Sequence, residues 1–280
     1  MIWRSLKMTA LMFTATCLVL LNGYIIAYLY EDVRSRFATL TLAHENETED
    51  IVMSDSDPGA DQHPESEAET DEVVPEEKKE EALLDAPAIS QHPELYNGCE
   101  ITTLTMLLQY YGIETDKMSM ASTMIKDPTP VRRDAQGNII YWGDPNVGFV
   151  GDVTGKNIGL GIYHGPILEQ LQTYFPDAVN LTGRDFEDLE RVVSGGDPVM
   201  VWTTVSFNVP KEHQWYVWDS PHGKVRATFQ MHTVLLVGYD QNYVYVNDPQ
   251  TGAKAKKIDK NRFIATWEAM GKQAVAYISP

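Results

Sequence analysis

Hydrophobic and polar positions divide the chain into three stretches. From Met8 to Tyr30 no charge interrupts a run of 23 mostly apolar positions, long enough as a helix to cross a hydrocarbon core roughly 30 Å thick. From His44 to Asp85 the pattern dissolves into Glu, Asp, Ser, Pro and Thr, which bury too little apolar surface to offset chain entropy. From Ala86 onward, periodicity returns. Ile101, Leu104, Leu107, Leu108 and Tyr111 recur at helical spacing before Gly112, so a buried helix is expected to open at Cys99 and stop at that glycine. Thr233–Tyr239 and Tyr243–Val246 read as strands on either side of a turn at Asp240-Gln241-Asn242, which predicts a hairpin ending at Asp248-Pro249.

These patterns imply a short cytoplasmic N-terminus (1–7), a transmembrane signal-anchor (8–30), a juxtamembrane segment with an acidic disordered linker (31–85), and one α+β domain (86–280). A small-residue cleavage motif is missing before Glu31, which favours an uncleaved anchor over a signal peptide. Cys17 then reads as apolar filler in the span. With the N-terminus inside, the protein is expected to be a single-pass cell-membrane protein whose C-terminal domain is extracytoplasmic. The linker would give the domain a reach of roughly 35 Å.

Charge sharpens this division. The chain carries a formal net charge of −18, yet 17 acidic residues lie between Glu45 and Asp85 against only Lys78 and Lys79. Such a tract repels phosphates and offers them no basic stripe, so nucleic acid is not an expected partner. A nucleotide is not expected either. Gly155-Lys156 is followed by Asn157, and Val150 stands where a phosphate loop needs its first glycine. His213, Asp219 and His222 fit no compact metal-ligand spacing, and with Trp215 and Trp218 among them they read as a packing or substrate-facing loop.

Chemistry concentrates at Cys99. It is the only cysteine outside the apolar run, so it has no intramolecular disulfide partner. Asn97 and Glu100 make a capping-box pattern around it. The positive end of a helix favours a thiolate, although a cysteine here also suits plain apolar packing. A nucleophilic cysteine needs an imidazole oriented by a third polar group. His44 and His63 fall in the linker, His92 before the helix, and His164, His213 and His222 in loop-like sequence, whereas His232 opens a strand. If paired numbers in the hairpin sum to 480 or 482, His232 and Asp248 share a face; an odd sum would part them. Each residue alone also fits a blander role, a core histidine and an Asp-Pro turn.

The run Gln91-His92-Pro93-Glu94-Leu95-Tyr96-Asn97-Gly98-Cys99-Glu100-Ile101-Thr102-Thr103-Leu104 resembles the active-site opening of the bacterial C39-like cysteine peptidases, a branch of the papain-like fold. Trp142–Gly151, His232–Tyr239 and Val246-Asn247-Asp248-Pro249 resemble that family too. The resemblance implies a papain-like fold with an N-terminal helical part and a C-terminal antiparallel sheet. It also implies a catalytic triad of Cys99, His232 and Asp248, with Gln91 as the oxyanion-hole side chain. The activity implied is hydrolysis of peptide or amide bonds through a thioester acyl-enzyme, with a peptide or protein as substrate and without metal or cofactor. A silent peptide-binding module and a transglutaminase-like acyl transferase are the competing readings of the same residues.

Overall fold

A computed structural model describes residues 78–280; the apolar run 8–30, Cys17 and the acidic segment up to residue 77 lie outside the described residues. In chain order, strand β1 (Ala82–Leu83) precedes helices α1 (Cys99–Tyr110) and α2 (Lys117–Thr123). Short strands β2 (Lys126–Asp127), β3 (Arg132–Arg133), β4 (Ile139–Tyr141), β5 (Phe149–Gly151) and β6 (Gly159–Gly161) follow. Then come α3 (His164–Gln172), β7 (Val179–Asn180), α4 (Phe186–Gly195) and β8 (Val199–Thr204). The C-terminal part holds β9 (Tyr216–Ser220), β10 (Gly223–Ala227), β11 (Met231–Tyr239), β12 (Tyr243–Asp248), β13 (Ala253–Asp259), α5 (Lys260–Ala269) and β14 (Ala274–Ala276).

These elements build a mixed α+β fold around an antiparallel sheet of order β13-β12-β11-β8-β14-β7, with β1 added to β11. Strands β8 and β11 are buried throughout, so their side chains alternate between two apolar clusters. Val199 and Val201 join Leu189 and Val193 of α4 and Phe263 and Trp267 of α5. Met200 and Trp202 join Leu104 and Leu107 of α1. Each such aliphatic side chain contributes about 1.5–3 kcal/mol on burial.

Helix α1 is buried on every face from Cys99 to Leu108, more completely than its apolar stripe suggests. Its interior threonines remain satisfied in part by backbone: Thr103 Oγ1 donates to Thr233 O at 3.1 Å, and Thr105 Oγ1 to Ile101 O at 2.8 Å. The helix stops as expected, with Gly112 at φ 79°, a conformation that glycine adopts without strain.

Three features depart from the sequence reading. His164 begins α3 instead of lying in a loop; Pro166 falls in the first turn, where a missing N–H leaves no helical bond unmade. The stretch 213–222 belongs largely to a hairpin of β9 and β10 within a four-stranded sheet β10-β9-β4-β3. Trp218 anchors it: its Nε1 donates to Gly143 O at 2.9 Å and its ring packs 5.7 Å from that of Trp142. Residues 78–85, in the span read as linker, run along the main sheet. There Lys78 pairs with Glu190 at 2.8 Å, and the Tyr239 hydroxyl donates to Lys79 O at 2.8 Å.

Among the described residues no helix is long and apolar enough to cross a membrane.

Candidate active site

The hairpin of β11 and β12 carries the histidine and the carboxylate, and its register is set by a bulge. Near the turn Tyr239 pairs with Val244 and Gly238 with Tyr245, an odd sum that neither expected register contains. Val237 is then skipped, and Leu236 pairs with Val246 and Leu235 with Asn247. This extra residue restores the even register and returns His232 and Asp248 to one face. His232 Nε2 lies 2.8 Å from Asp248 Oδ1, and both side chains are buried.

Two more donors converge on the carboxylate. The Gln250 N–H donates to Oδ1 at 3.0 Å, and Lys256 Nζ donates to Oδ2 at 2.8 Å. Burial pulls the Asp248 carboxyl upward, yet the hydrogen bond and charge of His232, and then those of Lys256, outweigh it and hold it well below the usual carboxylate range. The group is therefore a fixed anion beside the ring. With Nε2 engaged, Nδ1 is the ring nitrogen left to exchange a proton.

Cys99 is buried at the first turn of α1 and borders the same cleft as His232. Here the capping expectation fails. Gly98 is the N-cap and no side chain caps the helix. Asn97 Nδ2 instead donates to Asp152 O at 2.8 Å, which ties the approach to the loop after β5. Glu100 turns inward: its Oε1 accepts the Ile162 N–H at 3.1 Å, and its Oε2 accepts the Cys99 thiol at 3.3 Å.

The expected acidic thiol is corrected with it. Burial, then the charge and hydrogen bond of Glu100, push the Cys99 thiol well above its ordinary value; backbone N–H groups of Thr233 and Glu100 oppose this and lose. Desolvation and an adjoining carboxylate outweigh the helix dipole.

Gln91 is buried in the wall of the cleft. Its Nε2 gives one hydrogen to Tyr96 O at 2.6 Å, and an amide nitrogen has a second to offer. Its backbone is held from two sides. The Gln91 N–H donates to Pro249 O at 2.8 Å, next to Asp248. Lys117 Nζ donates to the carbonyls of Ser90, Gln91 and His92 at 2.7, 3.2 and 3.1 Å. The cleft, about 410 Å³, is bordered also by Gly159, Leu160, Val205 and Phe229 and, among the described residues, by no charged side chain apart from the titratable pair. Among the described residues no cluster of three His, Cys, Asp or Glu is placed to hold a metal.

The structure thus brings Gln91, Cys99 and His232 to one cleft and joins His232 to Asp248. Sequence reasoning missed Lys117, whose carbonyl partners lie some 25 positions away, and Lys256, which meets Asp248 across neighbouring strands, and it misassigned Glu100. Lys256 had one signal, since it faces β12 across the sheet as partner of Val246.

A cysteine heading a buried helix, beside a sheet that holds a histidine–carboxylate pair, places the domain among α+β folds of the C39-like kind. The Peptidase_C39 like family matches residues 83–275, and the chain belongs to it. The uncharacterized protein YvpB of Bacillus subtilis (strain 168) is 40% identical over 184 residues, 65% of this chain and 70% of that protein. The crystal structure of a candidate C39-like peptidase from Bacillus anthracis aligns with TM-score 0.65 at 38% identity, covering 72% of this chain and 99% of its own.

Proposed function

We propose that the domain is a cysteine peptidase that hydrolyses peptide or amide bonds. The observation that carries this reading is the buried 2.8 Å contact of His232 with Asp248 at a cleft that also holds Cys99. His232 Nδ1 takes the thiol proton, and the sulfur attacks the scissile carbonyl to give a tetrahedral oxyanion. The free Nε2 hydrogen of Gln91 and the Cys99 N–H stabilise that oxyanion. The imidazolium then passes its proton to the leaving amine and a thioester remains. Water, deprotonated by the same nitrogen, releases the acid. Asp248 keeps the proton of Nε2 in place, which reserves Nδ1 for the transfers.

The uncharged lining suits a neutral peptide segment. The apolar run 8–30 would hold the enzyme in the cell membrane with its domain outside, and the acidic linker would confine it to substrates within tens of ångströms. The test is incubation of the full chain and its Cys99→Ala variant with a peptide pool, with and without added lysine, products being read by mass spectrometry. New termini that depend on Cys99 support hydrolysis. Lysine adducts in their place support acyl transfer, and intact peptides retained by the protein support a binding module.

A further inference from the structure

Glu100 is a buried ionisable group in contact with the Cys99 sulfur to which the mechanism gives no task. Its environment is built for it. The carboxylate is closed off from solvent, held by the Ile162 N–H at one oxygen and by the thiol at the other. Gly161, at φ 141°, makes the space: a Cβ there would overlap Glu100 Oε1 and Met231 Cε. The Ile162 carbonyl is fixed in turn by Trp202 Nε1 at 3.0 Å. A carboxylate placed so carefully against the sulfur is more than a solvated flank of the helix.

We propose that Glu100 is a second acid of the site, which must be protonated for Cys99 to act as a nucleophile. This rests on the reading of Cys99 as nucleophile. In the ionised form, Glu100 accepts the thiol hydrogen, and expelling that proton would set two anions side by side in a buried place. In the protonated form the balance reverses. The S–H bond breaks, its proton moves to His232 Nδ1 and the electron pair stays on sulfur. Glu100 keeps its own proton and donates it as a hydrogen bond to the thiolate.

The groups around the pair come from three elements. Cys99 shares α1; Tyr163 follows Ile162 beyond β6; His232 stands next to Met231 on β11. Burial first, then Asp144 and Glu100, push the Tyr163 phenol up to about 12, so it stays neutral. Desolvation raises the Glu100 carboxyl to about 7, which puts its titration within a range that an experiment can cross. Raising pH through that value therefore removes the working form, contrary to the gain expected of an isolated thiol.

The test is the pH dependence of Cys99 alkylation by iodoacetamide in the full chain, read on the Cys99 peptide by mass spectrometry between about pH 5.5 and 9. The wild type should slow by about tenfold between pH 6 and pH 8 as the carboxyl titrates, and further by pH 9. Glu100→Gln keeps the Ile162 bond and a permanent donor to sulfur; it should show no such fall and should exceed the wild type about tenfold near pH 8. A wild-type rate that climbs steadily through this range overturns the assignment, whether or not the variant folds. So does a Gln profile within twofold of the wild type at every pH. Alkylation uses no peptide, so a missing descending limb overturns the role of Glu100 alone. An intact limb without peptide cleavage overturns the hydrolase reading alone.

Discussion

Asp248→Asn separates the charge of the carboxylate from its shape. In the native protein its Oδ1 accepts from His232 and Gln250, and its Oδ2 from Lys256. Asparagine can keep Oδ1 toward the ring, but its amide nitrogen then meets the Lys256 ammonium, donor against donor. The alternative rotamer turns the amide hydrogens on Nε2, so the ring must carry its proton on Nδ1 and cannot receive one from the thiol. Two charge-assisted bonds weaken in either case, each worth about 1.5–3 kcal/mol when fully buried. Lys256 is a third exposed and can return to water, so the net loss should be nearer 2 kcal/mol, or about 4–8 °C in unfolding midpoint for a domain of this size.

Turnover should fall more steeply, by about 10²–10⁴, since the orienting anion is gone. The pH dependence gives a further check. The folded Asp248 carboxyl is held below its ordinary value, so its contribution is complete above about pH 4 and fades as pH falls through the lower, folded value. The wild type and Asp248→Asn midpoints, recorded by thermal unfolding, should therefore differ at pH 7 and draw together in acid. Equal midpoints at pH 7 with turnover within twofold would refute this reasoning.

Three other variants probe separate parts of the site. Gln91→Ala should lower kcat by about 10²–10³ with little change in KM, as for loss of an oxyanion donor; steady-state kinetics on any cleaved peptide decides it. Lys117→Met frees the carbonyls of residues 90–92, and the resulting misplacement of Gln91 should slow turnover by roughly 10- to 100-fold, an effect that should vanish in a Gln91→Ala background. Trp202→Phe leaves the Ile162 carbonyl without its 3.0 Å donor and should destabilise the fold by about 1–3 kcal/mol in a denaturant titration.

What could be read in the sequence was what local pattern controls. The helix from Cys99 to its Gly112 stop and the hairpin follow from periodicity and turn chemistry within short windows, whereas the pairing of His232 with Asp248 hung on the register and was implied by the family resemblance. The register itself was not legible. An odd pairing at the turn is converted to an even one by the bulge at Val237, and nothing in the apolar alternation marks that residue as the extra one. Glu100 shows the limit most clearly. Its spacing from Asn97 fits a cap, but the space left by Gly161 and the Ile162 N–H, some 60 positions away, draw the carboxyl inward. Lys117 was invisible for the same reason, since its partners are carbonyls brought near by tertiary folding, whereas Lys256 depends on the pairing of β12 with β13, a strand beyond the hairpin that was read. The hairpin of β9 and β10 was obscured by its mixture of Trp with charged residues, because only alternate positions such as Trp218 and Val225 are buried.

The central claim is that the Cys99 sulfur takes up the acyl group. Rapid quenching of the full chain with an activated peptide ester, followed by mass mapping of the transient adduct, addresses it most directly. The account predicts an acyl mass on the Cys99 peptide that appears before free acid and decays with turnover, and that is lost in His232→Ala. Steady release of acid with the Cys99 peptide unmodified throughout, or an acyl mass on another residue, would contradict it.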